Sequence, residues 1–351
     1  MTTLAAVLAA LALGTLLAAP ALAWDDDTHK LIVGEAVARL PEPLHGLLSG
    51  ESLNRLQKAA LDPDVRRARL RKENASGYAE ENARHFFDID AMTDEAPPFA
   101  HFPRDRKAAE QKFGTEIFLK HGTGPWTTDD AVTALAAALK RGDADAVFAA
   151  AGDVAHYAAD LHMPLHVTKN YDGKLTGSDG IHMRIEVGLT KRYPDFYAAE
   201  VAKGRGEASY VPDPRDRLFD WIIQAHSRAA PILAADTAAR QATGYVPPTT
   251  RLEAEKEADD VALERVRPYY AALKKELEQR NSPEAAAMHE AAAHVADLLY
   301  TAWVNADKPV KLEPPPAAPA AEEKPSAYWL IPVLAAVMIL LLFPRRRTMG
   351  K

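Results

Sequence analysis

Along residues 24–306, apolar side chains recur at three- and four-residue intervals and almost nowhere alternate with polar ones. That period is helical, because side chains three and four apart share one face of a helix. Helices are predicted over 28–40, 52–61, 104–121, 128–141, 143–162, 215–236, 252–280 and 283–304. Thr127-Thr128-Asp129-Asp130 and Ser282-Pro283-Glu284 place capping groups, proline and acids where helix starts favour them. The stretches 62–103, 164–180 and 204–214 read as loops, and no internal repeat is found. The predicted fold is all-α, a single multi-helix domain over 24–306.

The two ends depart from this pattern. From Leu4 to Ala19 the chain is almost wholly apolar, and Ala21-Leu22-Ala23 offers a small-residue cleavage site before Trp24-Asp25-Asp26-Asp27. Residues 1–23 therefore read as a cleaved signal peptide, with an uncleaved anchor as the alternative. Residues 327–343 form 17 apolar positions, near the lower limit for crossing a bilayer. Tyr328 and Trp329 sit where an interfacial belt would, and Arg345-Arg346-Arg347 follow as a cytoplasmic stop. The expectation is a transmembrane helix over 327–344 with a basic tail at 345–351, joined to the body by a Pro/Ala/Glu-rich linker over 307–326. The chain would then be exported and anchored by one pass, its body periplasmic or at the cell surface and the membrane its partner. Later removal of the tail by a sorting protease is the other reading.

Composition narrows the chemistry. A chain of 351 residues, 48% of them hydrophobic, can bury a substantial core. With no cysteine it has no thiolate nucleophile, no cysteine metal site and no disulfide. The formal charge of −7 is uneven: between the uncharged leader and the basic end, 38 Lys+Arg face 49 Asp+Glu, a net −11. So acidic a surface argues against broad electrostatic capture of nucleic acid, unless bound cations change the local sign.

The most informative stretch is His156-Tyr157-Ala158-Ala159-Asp160-Leu161-His162-Met163-Pro164-Leu165-His166. On a helix His156 and Asp160 project side by side, as two ligands of one ion require. Pro164 ends the helix, so His166 can turn toward a different ion. His182 and Glu186 repeat the i, i+4 spacing. Two such pairs in a chain without cysteine point to divalent metals held by imidazole and carboxylate, zinc first and manganese or iron after it. A surface ion pair or a core histidine is the plainer reading of either pair alone.

HYAADLHMPLH resembles the HxxxDxHxPLH signature of the zinc-dependent phospholipase C and S1/P1 nuclease family, all-helical phosphodiesterases with three zinc ions. The resemblance covers 24–186, and the later helices match only in kind. It implies a mature chain beginning with a tryptophan whose amine and carbonyl chelate zinc; cleavage after Ala23 would place Trp24 there, with His29 as the N-terminal histidine. Asn82-Ala83-Arg84-His85-Phe86-Phe87-Asp88 resembles the family's histidine followed by aromatics and aspartate, which implies His85 as a ligand. The preceding aspartate is Asp64 by preference, with Asp62 open and helix capping the plainer role for both. The implied sets are Asp64, His85, His156 and Asp160 for one zinc; Trp24 and His29, with Asp160 bridging, for a second; and His166, His182 and Glu186 for the third. His162 is implied as a neighbour of the ligands.

The activity so implied is zinc-dependent phosphodiester hydrolysis, with zinc-bound hydroxide attacking phosphorus in line. Asp64 would orient or deprotonate the nucleophile. Arg67 matches a basic phosphate contact of nuclease members, and Asp88 is a second candidate of that kind; both are otherwise ordinary solvated charges. Glu186 in place of aspartate, the short segment between His166 and His182, and Asp27 near a head-group ammonium are like the phospholipase C branch. No aromatic follows Asp64, and Asn82 stands where an aromatic would line a choline pocket, which leaves choline selectivity open. Cleavage of phospholipid head groups is therefore expected first. A single-strand nuclease or 3′-nucleotidase is the alternative, with nucleic acid as partner, and a non-catalytic metal-binding surface protein is third.

Overall fold

The computed structural model describes residues 24–312. Its principal helices are α1 (Asp26–Val37), α2 (Glu51–Ala59), α3 (Asp62–Lys72), α4 (Tyr78–Ala83), α5 (Gly124–Arg141), α6 (Ala144–His162), α7 (Ile181–Met183, running into a π-helical turn at Arg184–Leu189), α8 (Pro214–Ser227), α9 (Ala229–Thr243), α10 (Arg267–Glu278) and α11 (Pro283–Asn305).

Helix α6 is the axis of the fold. The Asp143 side chain caps its first turn by accepting from the Ala146 amide at 3.1 Å, and Pro164 follows its end. Its alanine-rich sequence lets α2, α5 and α11 pack closely around it. Gly152 marks the tightest approach, since a Cβ there would lie 2.5 Å from the carbonyl carbon of Ala59 at the end of α2. Only a residue without a side chain permits that crossing. At the opposite end of the core, Phe87 meets Phe102, Trp126 and Phe219 edge-to-face, with centroids 5.4 to 5.6 Å apart. This cluster anchors the irregular segment 85–88 together with backbone hydrogen bonds from Asp88 N to His121 O and from Gly124 N to Phe86 O.

Several expectations change. The predicted helix 104–121 is broken at Gly114, 215–236 divides at Arg228, and 252–280 is interrupted between Asp260 and Val266. The expected loop 62–103 contains α3 and α4. Helix α3 has no apolar stripe, but its ends carry the electrostatic signature of a helix: Asp62 and Asp64 in the first turn with Pro63, and Arg69, Arg71 and Lys72 in the last.

The fold class expected to include a cleaved signal peptide and a transmembrane helix is corrected to an all-α multi-helix domain. Among the described residues no helix is long and apolar enough to cross a membrane. The longest, α11, carries Glu284, His289, Glu290, His294 and Asp297, and α6 carries Asp145, Asp153, His156, Asp160 and His162, polar loads that do not suit lipid. The signal peptide at 1–23, the transmembrane helix at 327–344 and the tail at 345–351 lie outside the described residues. The membrane-tethered function, the membrane as partner and the exported, membrane-anchored localisation are accordingly withdrawn.

One buried acid lies far from the histidine motifs. Glu284, 1% exposed at the start of α11, accepts from the Tyr197 hydroxyl at 3.1 Å, and its Oε2 has no hydrogen-bond partner. Burial pushes its carboxyl from 4.5 up to about 7. The folded state thus holds this proton more tightly than the unfolded chain, so the group's contribution falls as pH rises from about 4.5 to about 7 and is then constant. Glu284→Gln, which keeps the shape without the charge, is expected to raise the unfolding midpoint near pH 8, on the order of 2 kcal/mol, with little effect near pH 4.5. Thermal melts at the two pH values check this; equal midpoints at pH 8 refute it.

Candidate metal centre

The site forms where α6 ends. One helical turn separates His156 from Asp160, and both are wholly buried. His156 is aimed from behind by the close approach at Gly152: the Ala60 carbonyl, just past α2, lies 2.7 Å from Nδ1 and leaves Nε2 facing inward. Chain segments distant in sequence converge on this pair. His29 from α1 stacks on the His156 ring at 4.3 Å between centroids. His85 arrives from the segment anchored by Phe87, its Nδ1 3.0 Å from Asp160 Oδ2 and 3.0 Å from His156 Nε2. Asp64, on the first turn of α3, brings Oδ1 to 3.6 Å from His85 Nδ1 and 3.8 Å from His156 Nε2.

A second cluster lies beyond Pro164. His166 Nε2 is 3.0 Å from Glu186 Oε1, and His182 Nε2 is 2.9 Å from Glu186 Oε2. Backbone carbonyls again fix the outer nitrogens: His166 Nδ1 lies 2.9 Å from the His85 carbonyl and His182 Nδ1 3.1 Å from that of Tyr171. The amide of Phe87 bonds the His166 carbonyl at 2.8 Å, so the two clusters are tied through the backbone as well. Outward nitrogens engaged by carbonyls and inward nitrogens converging are the usual condition of metal-binding imidazoles.

Among the described residues there are three sets of donor atoms, the atoms of each within 4.8 Å of one another: His29, Asp64 and His156; His85, His156 and Asp160; and His166, His182 and Glu186. Both nitrogens of His29, Asp64 Oδ1, Asp160 Oδ1 and both oxygens of Glu186 are buried and make no well-formed hydrogen bond, the oxygens having only ion-pair neighbours, among them Arg67, His29, His166 and His182. Buried polar atoms in that condition are costly, and cations at these positions would satisfy them. Imidazole and carboxylate donors in sets of this size fit three zinc ions.

The charge states of His85, Asp160 and Asp64 suit this use, whereas His156, whose burial is outweighed by Asp160 and Asp64, is held toward its protonated form until a cation takes the proton's place. Burial, with Arg67 nearby, pushes His85 down to about 3, so its imidazole is neutral and able to ligate. Burial pushes Asp160 up, but His156, His29 and His85 outweigh it and hold the carboxyl well below the ordinary range. At Asp64 burial is likewise outweighed, here by Arg67 and then His156 and His85.

Asp62 is exposed and in none of the three sets, whereas Asp64 falls in one of them. Arg67, buried, brings Nη2 to 2.6 Å from Asp64 Oδ1. Asp88 also stands outside the three sets: it is buried with Oδ2 3.5 Å from His121 Nδ1, and burial pushes its carboxyl up to about 6. Trp24 is buried and its indole donates to the Ala159 carbonyl at 3.2 Å, beside Asp160. A cavity of about 360 Å³ opens next to it, lined by Asp25, Asp27, Lys30, Asp64 and Lys191 among others. His162 points away, its Nε2 2.6 Å from His294 Nδ1. Sequence reading missed the carbonyls of Ala60, His85 and Tyr171, because a backbone acceptor has no residue-type signature.

With this geometry in view, comparison with known proteins is informative. A family model described as zinc dependent phospholipase C matches residues 28–235. That is more than half of the chain, and the chain belongs to this family. No curated protein matches it. The family and the three donor sets together define a zinc-dependent phosphoric diester hydrolase.

Metal analysis of the purified protein is expected to give three zinc ions per chain, and chelation to lower the unfolding midpoint, since ions bound only by the folded state stabilise it. Asp64→Asn is expected to reduce the bound zinc and Asp62→Asn to leave it unchanged. The reverse order would show that α3 presents the wrong acid.

Proposed function

We propose that the protein hydrolyses phosphodiesters of phospholipid head groups. One observation carries the hydrolytic reading. The two oxygens of Asp160 are divided, Oδ2 toward His85 and His156 at 3.0 and 3.3 Å and Oδ1 toward His29 at 3.4 Å, as a carboxylate shared by two neighbouring cations would be. On this reading His85, His156, Asp160 and Asp64 serve one ion, His29 with the shared Asp160 a second, and His166, His182 and Glu186 a third. Trp24 can add its amine only in a chain that begins at residue 24.

When bound, zinc supplies a Lewis acid that neutralises phosphoryl charge and lowers the pKa of water. The chain's own groups do the rest. Asp64 is partly exposed at the cavity and fixed by Arg67, so its carboxylate can accept a proton from an incoming water and hold that water toward the phosphodiester. Arg67 fixes Asp64 through Nη2, beside the phosphate contact expected of it from sequence. Asp88, raised to about 6, can retain a proton between itself and His121 on the His166 side of the site. The burial of His85, His156 and Asp160 excludes bulk water and strengthens every charge interaction around the reacting group.

The cavity beside Asp64 supports the choice of substrate. Asp25, Asp26 and Asp27 outnumber Lys30 and Lys191 along its wall, and Lys30 already pairs with Asp27 at 3.3 Å. An acidic wall next to a phosphate site favours a diester with a cationic head group over a polyanion.

The test is parallel turnover of phosphatidylcholine and single-stranded RNA by the zinc-loaded protein. Diacylglycerol release is expected to exceed RNA cleavage, to stop with EDTA and to return with zinc. His156→Ala is expected to lower it by on the order of 100- to 1,000-fold. Faster cleavage of RNA would reassign the substrate, and absence of zinc-dependent turnover of any phosphodiester would remove the enzymatic reading.

A further inference from the structure

Between His182 and Glu186, on the opposite face of the same turn, stands Arg184. It is 4% exposed, and neither a metal set nor the reaction uses it. Its guanidinium is fully engaged. Nε lies 3.2 Å from Asp236 Oδ1 and 2.9 Å from the Tyr269 hydroxyl, Nη2 2.9 Å from the same Asp236 oxygen and 3.2 Å from the Ser178 carbonyl, and Nη1 2.7 Å from the Asp179 carbonyl. Asp236, wholly buried on α9, also accepts from the Tyr269 hydroxyl of α10 at 2.6 Å. Arg240, one turn further along α9, bonds the Gly177 carbonyl. Three consecutive carbonyls leading into α7 are thus held by two arginines.

We propose that Arg184, anchored by Asp236 and Tyr269, is the positioning residue for the His182–Glu186 pair, so that the third metal set is aimed from the C-terminal part of the chain. The inference rests on the metal reading above. Its geometry is that of a helical turn gripped from behind. His182 and Glu186 face inward, Arg184 faces outward, and a fixed guanidinium sets both the rotation and the depth of the turn. The loop is held by the same contacts. Tyr171, whose carbonyl orients His182, lies on a segment closed by Ser178 N to Gly173 O at 2.9 Å and Gly180 N to Asp172 O at 3.0 Å, and Arg184 bonds its far end. Gly188 lets α10 close in on the π-helical turn, since a Cβ there would collide with the Tyr270 hydroxyl. Neither Asp236 nor Tyr269 falls within residues 28–235, so this support is supplied from outside the family match. A planar five-donor group spread over a carboxylate, a phenol and two carbonyls fixes direction in a way that a lysine ammonium cannot.

Tyr269→Phe and Arg184→Lys test this, with zinc stoichiometry and affinity read by competition with a chelator and kcat and KM read separately. Tyr269→Phe removes a single hydroxyl and keeps the ring, so it serves if Arg184→Lys fails to fold. Both variants are expected to keep two zinc ions as tightly as the parent and to bind the third about 10- to 100-fold more weakly. kcat should fall at limiting zinc and recover at saturating zinc. Parent protein with three zinc ions, matched in all three affinities by both variants, overturns the positioning role alone, even if the variants melt at lower temperature. Parent protein that binds no zinc overturns the metal reading and the positioning role with it.

Discussion

A carboxylate with no exposure to water, Asp160, sets the terms for the rest of the molecule. An ionised group in that position is strongly unfavourable unless hydrogen bonds and opposite charge replace its hydration. The imidazoles of His29, His85 and His156 surround it, and each comes from a different part of the chain. Bringing them together requires α1 to lie along α6, the 85–88 segment to be pinned by the aromatic cluster, and α2 to touch α6 at Gly152. The hydrophobic core makes these approaches possible; the buried charge makes them necessary in this one arrangement. Divalent cations at the unsatisfied oxygens and nitrogens would complete the compensation without any disulfide, of which the chain has none.

The fold and the site were legible in the sequence to different depths. The helical period carried α5, α6 and α11 because each buries a long apolar face, and the i, i+4 spacing brought His156 beside Asp160 and His182 beside Glu186 because helical geometry allows little else. Helix α3 escaped because its signal lies in terminal charges rather than in periodicity. Breaks at Gly114 and Arg228 escaped because the apolar pattern continues across them while the backbone does not. The destination of Arg67 could not be read, since three-residue spacing from Asp64 suits an ion pair and a phosphate contact equally well. The membrane reading arose from two apolar ends, and the described helices offer it nothing.

A second buried polar pair shows how selectively the interior treats histidine. His162 and His294 face each other at 2.6 Å, with Trp221 stacked on His294 at 4.0 Å between centroids. Burial pushes them down to about 4 and about 2, so both are neutral, and among the described residues no carboxylate completes a metal set around them. His156 and His162 are therefore only six residues apart on one helix and serve different ends. His156 meets acids as well as imidazoles, whereas His162 meets only an imidazole and an indole among its ring neighbours.

The contact at Gly152 reaches beyond packing. Because Ala60 O aims His156, the separation of two helix backbones is transmitted to a nitrogen that faces the donor sets. The core and the candidate metal centre therefore meet at this point, and a methyl group added at position 152, a full turn from His156, would push on the backbone whose next carbonyl aims the ring.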